Sequence, residues 1–102
     1  MMKPTLEKVL LILQDLKPYL YEEWGITKLA VFGSFANETA TELSDVDLVV
    51  EFERPVGWQF MELCDFLEDR LSRKVDVLTM TALAHIRNRT VAENIIKSLI
   101  YV

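Results

Sequence analysis

The chain has 102 residues, enough for a single core and too few for a second, substrate-holding domain, so residues 1–102 are expected to form one domain. Eleven Lys and Arg stand against 16 Asp and Glu, a net charge of −5, which argues against general nucleic-acid binding and templated polymerisation, since both rest on neutralising phosphates. A single cysteine, Cys64, allows neither an internal disulfide nor a thiolate zinc site, no basic-apolar leader opens the chain, and no apolar run approaches the ~18 residues that span a bilayer; a cytoplasmic protein is expected.

In chain order, a helix is expected from about Thr5 to Glu23, with Thr5 as N-cap and Pro18 kinking it or ending it early. Val9 to Leu13 are consecutively apolar and cover most of that helix, more than one core stripe requires, so part of it is expected to face a partner. Gly25 punctuates before a strand from Thr27 to Phe32, which runs into Gly33-Ser34 and a short turn or helix near Phe35. A strand follows around Val46 to Phe52, then a turn at Arg54-Pro55-Val56-Gly57. The next helix, about Trp58 to Ser72, has apolar Phe60, Leu63, Cys64, Leu67 and Leu71 on one side, with Glu62, Asp65, Glu68 and Asp69 facing water. Cys64 reads as a small packed hydrophobe. Lys74 to Leu78 is a third strand, Thr81 a cap for another helix containing His85, and a last helix runs from about Val91 to Leu99. His85, the sole imidazole, reads as a helix residue and not as a ligand. Ile95, Ile96, Leu99, Ile100, Tyr101 and Val102 form a second apolar cluster suited to an interface.

The chemistry lies in the strands. Asp45 and Asp47 are two apart, so on an extended chain they project to one face with Cα atoms roughly 6.5 Å apart, while Val46, Leu48 and Val50 face the core. Two carboxylates on one face can grip one or two divalent cations; Mg²⁺ prefers oxygen ligands and takes few of them from protein. Asp76, set among apolar residues in the next strand, joins the pair if the two strands are neighbours, giving three acids able to bind two metals about 3.5–4 Å apart for an in-line displacement at phosphorus. Aspartate is depleted in strands, which makes three such placements between 45 and 76 informative. Upstream, Gly33 allows close approach of backbone to a ligand, and the Ser34 hydroxyl and neighbouring N–H groups can donate to phosphate oxygens.

These residues together resemble the nucleotidyltransferase superfamily with a polymerase-beta-type core, in particular its smallest members, the minimal nucleotidyltransferase (MNT) proteins and MntA-like antitoxins. The resemblance is carried by Gly33-Ser34, a variable loop, Ser44-Asp45-x-Asp47-Leu48-x-Val50, and Asp76 in RKVDVLT, and it covers nearly the whole chain. It implies an α/β (α+β) fold with a short mixed sheet flanked by helices. It implies nucleotide binding by Gly33, Ser34 and Ser44, and catalysis and metal binding by Asp45, Asp47 and Asp76. The cofactor would be Mg²⁺, as two ions, and ATP the substrate. The resemblance further implies transfer of AMP to a tyrosine hydroxyl of a small helical HEPN protein, the toxin of a toxin-antitoxin pair in which this chain is the antitoxin. A homodimer is also compatible with it.

The chain departs from that pattern in the loop, where Phe35, Asn37 and Glu38 stand in place of the usual Arg and Gly, and no Lys or Arg occurs between Lys28 and Arg54. Lys28, Arg54, Arg73 and Lys74 are the nearest cations that could meet charge building on the phosphates. A second reading is therefore a non-catalytic module of the same fold that neutralises its partner by contact. A third, modification of a small molecule such as an aminoglycoside, lacks residues for an acceptor pocket.

Overall fold

The computed structural model describes residues 5–102, so Met1 to Pro4 lie outside it. Helix α1 spans Leu6–Trp24 and begins as its sequence requires: Thr5 is extended, and its hydroxyl accepts from Lys8 N at 3.2 Å. It ends at Gly25, which takes a left-handed conformation (φ 70°) and returns its N–H to the carbonyls of Leu20 and Tyr21. Pro18 neither ends nor shortens the helix. The turn beyond it is anchored by Leu20 and Trp24, both buried, and the Trp24 indole donates to the Gln59 carbonyl at 3.1 Å while its ring packs against Tyr19 and Phe66. That burial outweighs the lost helical hydrogen bond.

Strand β1 (Ile26–Phe32) leads through the single-turn α2 (Gly33–Ala36) and an irregular loop to β2 (Val46–Phe52). Helix α3 (Gln59–Leu71) crosses over to β3 (Val75–Thr79), followed by α4 (Met80–Ala84), α5 (Arg89–Ser98) and the two-residue β4 (Ile100–Tyr101). The sheet order is β3-β2-β1-β4, with β1 antiparallel to β2 and β4, and β2 parallel to β3. A parallel pair needs a crossover, and α3 supplies it. This is the expected mixed sheet flanked by helices.

The core lies between α1, α3 and one sheet face. Leu13, Leu20, Leu63 and Leu67 from the helices meet Leu29, Val31, Val46, Leu48 and Val50 from the strands, all within 2% of full burial. On the other face Ala30 pairs with Val49 and both are fully buried, with α4 packed against β2 and β3 and α5 against β1. Both faces of the sheet centre are thus covered, while its ends carry the polar residues.

Several expectations are corrected in detail. The cap of α4 is Thr79, whose hydroxyl accepts from Ala82 N at 2.9 Å, and not Thr81; the extended Thr79 at the end of β3 has the backbone that a cap needs. His85 sits just past that helix, its Nδ1 2.8 Å from the Thr81 carbonyl. Glu68 does not simply face water, because its Oε2 accepts from Val75 N at 3.1 Å where β3 begins. Tyr101 and Ile100, expected only as an apolar cluster, add an edge strand to β1. No helix among the described residues is long and apolar enough to cross a membrane.

Candidate active site

The strand registers bring the motif together. Phe32, the last residue of β1, lies opposite Asp47 in β2, and Asp47 lies opposite Asp76 in β3. Asp45, two residues before Asp47 and just ahead of the strand, projects to the same side. Val46 N donates to the Lys74 carbonyl at 2.9 Å, so the β2–β3 ladder is intact up to the point where Asp45 leaves it. The three acids therefore share one end of the sheet, where β1 finishes and β2 and β3 start.

Gly33 follows immediately, and it must be glycine on two counts. Its φ of 72° lies in the left-handed region, and a Cβ built on it would overlap Asp47 Oδ2 and stand 3.1 Å from Asp47 Cγ. The backbone of the Gly33-Ser34 turn is thus pressed against the Asp47 carboxylate. Asn37 N donates to the Gly33 carbonyl at 3.0 Å and Thr39 N to the Ser34 carbonyl at 2.8 Å, fixing the turn, and Phe35 plugs it into the core at 1% exposure.

The electrostatics follow from this crowding. Asp47 is held above the ordinary carboxylate pKa, first by burial and then by the negative charges of Asp76 and Asp45. Asp45 and Asp76 are therefore each within electrostatic reach of Asp47. Among the described residues no group of three or more His, Cys, Asp and Glu side chains is drawn together as a closed metal cluster. The donor set fits Mg²⁺: all oxygen, ionisable, and carrying a destabilised negative charge that a divalent cation would neutralise.

Ser44 is placed differently from its neighbours. Its Oγ accepts from Thr41 N at 2.8 Å and lies 3.4 Å from Thr41 Oγ1, closing the loop that delivers Asp45. Two of the four cations singled out in the sequence are tied to carbonyls, and one of them, Arg54, lies past the opposite end of β2 from Asp47. Arg54 Nη2 reaches the Glu22 and Glu23 carbonyls at 3.3 and 3.5 Å, with Nη1 3.6 Å from Glu53 Oε2. Arg73 Nη1 reaches the carbonyls of Thr41, Glu42 and Ser44. Lys28 is paired opposite Glu51, far along β1 from Asp47, and Lys74 is exposed just ahead of β3, its carbonyl accepting from Val46 N. The structural engagement of Arg73 and the close fit of Gly33 on Asp47 were not readable from spacing, because both depend on chain segments remote in sequence.

The sequence pattern of the nucleotidyltransferase domain matches residues 13–102. The chain belongs to the nucleotidyltransferase domain family. Among relatives, it is 39% identical over 99 residues to "Putative protein adenylyltransferase MJ0128" of Methanocaldococcus jannaschii, covering 96% of this chain and 98% of the relative. It is 35% identical over 99 residues to "Protein adenylyltransferase MntA" of Thermococcus cleftensis, covering 96% of each. Its fold matches the solved "Structure of putative minimal nucleotidyltransferase" with a TM-score of 0.72 at 27% identity, over 95% of both chains. Two toxin-antitoxin structures share the fold at lower identity. One is a complex with AMP-PNP (TM-score 0.62, 19% identity, 96% of this chain and 72% of that chain). The other is a tri-AMPylated Shewanella oneidensis HEPN toxin with its MNT antitoxin (TM-score 0.54, 16% identity, 94% and 66%). This nucleotidyltransferase thus has the fold of a minimal nucleotidyltransferase, with its own Gly33-Ser34 and Asp45-x-Asp47 at the same sheet end as Asp76.

Proposed function

We propose that residues 1–102 act as one minimal nucleotidyltransferase domain that moves AMP from ATP to a tyrosine hydroxyl of a small helical HEPN-type partner, and so serve as the antitoxin of a toxin-antitoxin pair. The observation that carries the reading is the register that sets Asp47 opposite Asp76 while Gly33 abuts the Asp47 carboxylate. The names of two relatives, protein adenylyltransferases, support the reaction, and the HEPN complex of a fold neighbour supports the partner. The reaction calls for a compartment that supplies ATP, as the cytoplasm does.

In this reading the Gly33-Ser34 turn holds the triphosphate through backbone N–H groups and the Ser34 hydroxyl, and the Ser44 hydroxyl, which accepts from Thr41 N, turns its proton to a phosphate oxygen when nucleotide binds. Asp45, Asp47 and Asp76 hold Mg²⁺, as two ions. Bound there, the metal neutralises charge building on the phosphate oxygens. Asp76 accepts the proton of the incoming tyrosine hydroxyl as its oxygen bonds to the α-phosphorus, and the bond to the β-phosphate oxygen breaks to release pyrophosphate. In this reading the partner brings the hydroxyl. Exposed apolar residues stand ready to dock it or a second copy of the chain: Leu11 on α1, Val91 and Ile96 on α5, and Tyr101.

A contact-only antitoxin is the second reading, favoured by the engagement of Arg73 with carbonyls and by the place of Arg54 at the opposite end of β2 from Asp47, which leave the loop short of free cations. Label transfer from α-phosphate-labelled ATP separates the two. Label on a co-purifying partner, lost on chelation and with Asp45→Asn, establishes the transferase. A stable complex without label, neutralised equally well by the Asp45→Asn, Asp47→Asn double variant, establishes the module.

A further inference from the structure

Residues 37–45 join α2 to β2 without helix or strand, and nearly all are exposed, yet this loop decides where Asp45 stands. Arg73 occupies its inner side. It lies three residues before Asp76, at the entry to β3, and its Nη1 is 3.4, 3.2 and 2.8 Å from the carbonyl oxygens of Thr41, Glu42 and Ser44. The shortest contact is to the carbonyl of the peptide that ends at Asp45 N. A peptide unit is planar, so fixing that oxygen fixes the backbone from which the Asp45 side chain departs. The guanidinium carbon also sits 5.4 Å from the centroid of the Phe35 ring, the buried residue next to Ser34. One side chain therefore touches the segment carrying Gly33-Ser34 and the loop carrying Asp45, and the strand that begins two residues after it carries Asp76.

We infer that Arg73 is a positioning residue that sets Asp45 against Asp47 and Asp76 by clamping the loop carbonyls, and that it does not bind the nucleotide phosphates. The inference rests on the metal-dependent reading above. The chemistry asks for arginine: the two N–H bonds of Nη1 are shared among the three carbonyls while the rigid guanidinium plane stays over the Phe35 ring, whereas a lysine ammonium is a single point of charge on a flexible stem and has no plane to lay on the ring. Its role is that of a group that orients a metal ligand, and loss of such a group typically weakens metal binding or activity about 10–100-fold.

The test uses the full chain with Arg73→Lys and Arg73→Met. Mn²⁺ binding by the protein alone is followed by the loss of the free-ion paramagnetic resonance signal, and label transfer is measured over ranges of Mg²⁺ and ATP. Mn²⁺ affinity is expected to fall about 10–100-fold in both variants. The Mg²⁺ needed for half-maximal transfer should rise in step, while the KM for ATP at saturating Mg²⁺ stays unchanged. In an Asp45→Asn background, Arg73→Lys should have no further effect on Mn²⁺ affinity, because the residue it positions is already gone; a folding defect would instead add to the loss. Unchanged Mn²⁺ affinity with a raised KM for ATP would overturn the inference and make Arg73 a phosphate ligand. Unchanged values of both, in a wild type that binds Mn²⁺ and transfers label, would overturn it alone. A wild type that does neither would overturn the proposed function along with it.

Discussion

Replacing Gly33 by alanine separates backbone strain from damage to the site, because Gly57 provides a matched control. Both glycines are left-handed, with φ of 72° and 54°, but a Cβ at Gly57 meets nothing within 4 Å, whereas one at Gly33 overlaps Asp47 Oδ2. A side chain in that region costs about 1–2 kcal/mol, so both variants should be destabilised alike. At this chain length each kcal/mol lowers Tm by roughly 4–8 °C. The overlap at Gly33 adds little to that figure, since the atom struck is the tip of a short side chain that can swing away. Swinging it away is what harms function, because Asp47 then leaves the rim it shares with Asp45 and Asp76. A misplacement of about 1 Å in a reacting constellation can cost on the order of 100-fold in rate. Thermal melts followed by circular dichroism, paired with label transfer from α-labelled ATP at a temperature where both variants are folded, give the two readouts. Gly33→Ala should lose transfer by about two orders of magnitude while Gly57→Ala stays close to wild type. Equal activities in the two variants would refute the assignment of the Gly33–Asp47 contact to the site.

Asp47 makes a further prediction in which stability and function oppose. Its pKa is raised, so its stabilising contribution is fully present below the unfolded value of about 3.9 and is lost as pH rises through the folded value. Asp47→Asn should accordingly melt above wild type at pH 7, with the gap closing towards pH 4, and should transfer no label; a lower Tm at pH 7 would contradict the burial and charge argument. Tyr21 Oη donates to Glu53 Oε1 at 3.1 Å, and that bond, then the Glu53 charge, raises the Tyr21 pKa. Spectrophotometric titration should show Tyr21 ionising late and moving back towards its ordinary range in Glu53→Gln, and an unchanged titration would dismiss the bond. Leu13, fully buried, should cost about 2–5 kcal/mol on truncation to alanine in urea unfolding. Leu11, 58% exposed on the same helix, should change stability by no more than about 0.5 kcal/mol, so a cost at Leu11 equal to that at Leu13 would mean the helix face is misassigned.

The parts of this protein governed by local rules could be read before its fold was known. Thr5 announced the start of α1 and Val46–Phe52 the central strand, because caps and alternation act over a few residues. The proximity of Asp47 and Asp76 was legible as a condition, that the two strands be neighbours, and the parallel register meets it. What escaped was set by distant partners. Pro18 reads as a break, yet Trp24 and Leu20 hold the helix beyond it. Arg73 reads as a free surface cation, yet it is spent on carbonyls some thirty residues upstream. Thr81 and Thr79 are equally good caps by residue type, and the end of β3 chose between them.

The most direct test of the account compares ATP labelled on the α-phosphate with ATP labelled on the γ-phosphate, each incubated with Mg²⁺, the chain and a tyrosine-bearing partner that co-purifies with it. Nucleotidyl transfer predicts stable label on the partner from the α position and none from the γ position, abolished by Asp76→Asn. Label from the γ position alone would contradict the account, because the acids at the sheet end would then be serving phosphoryl rather than nucleotidyl transfer.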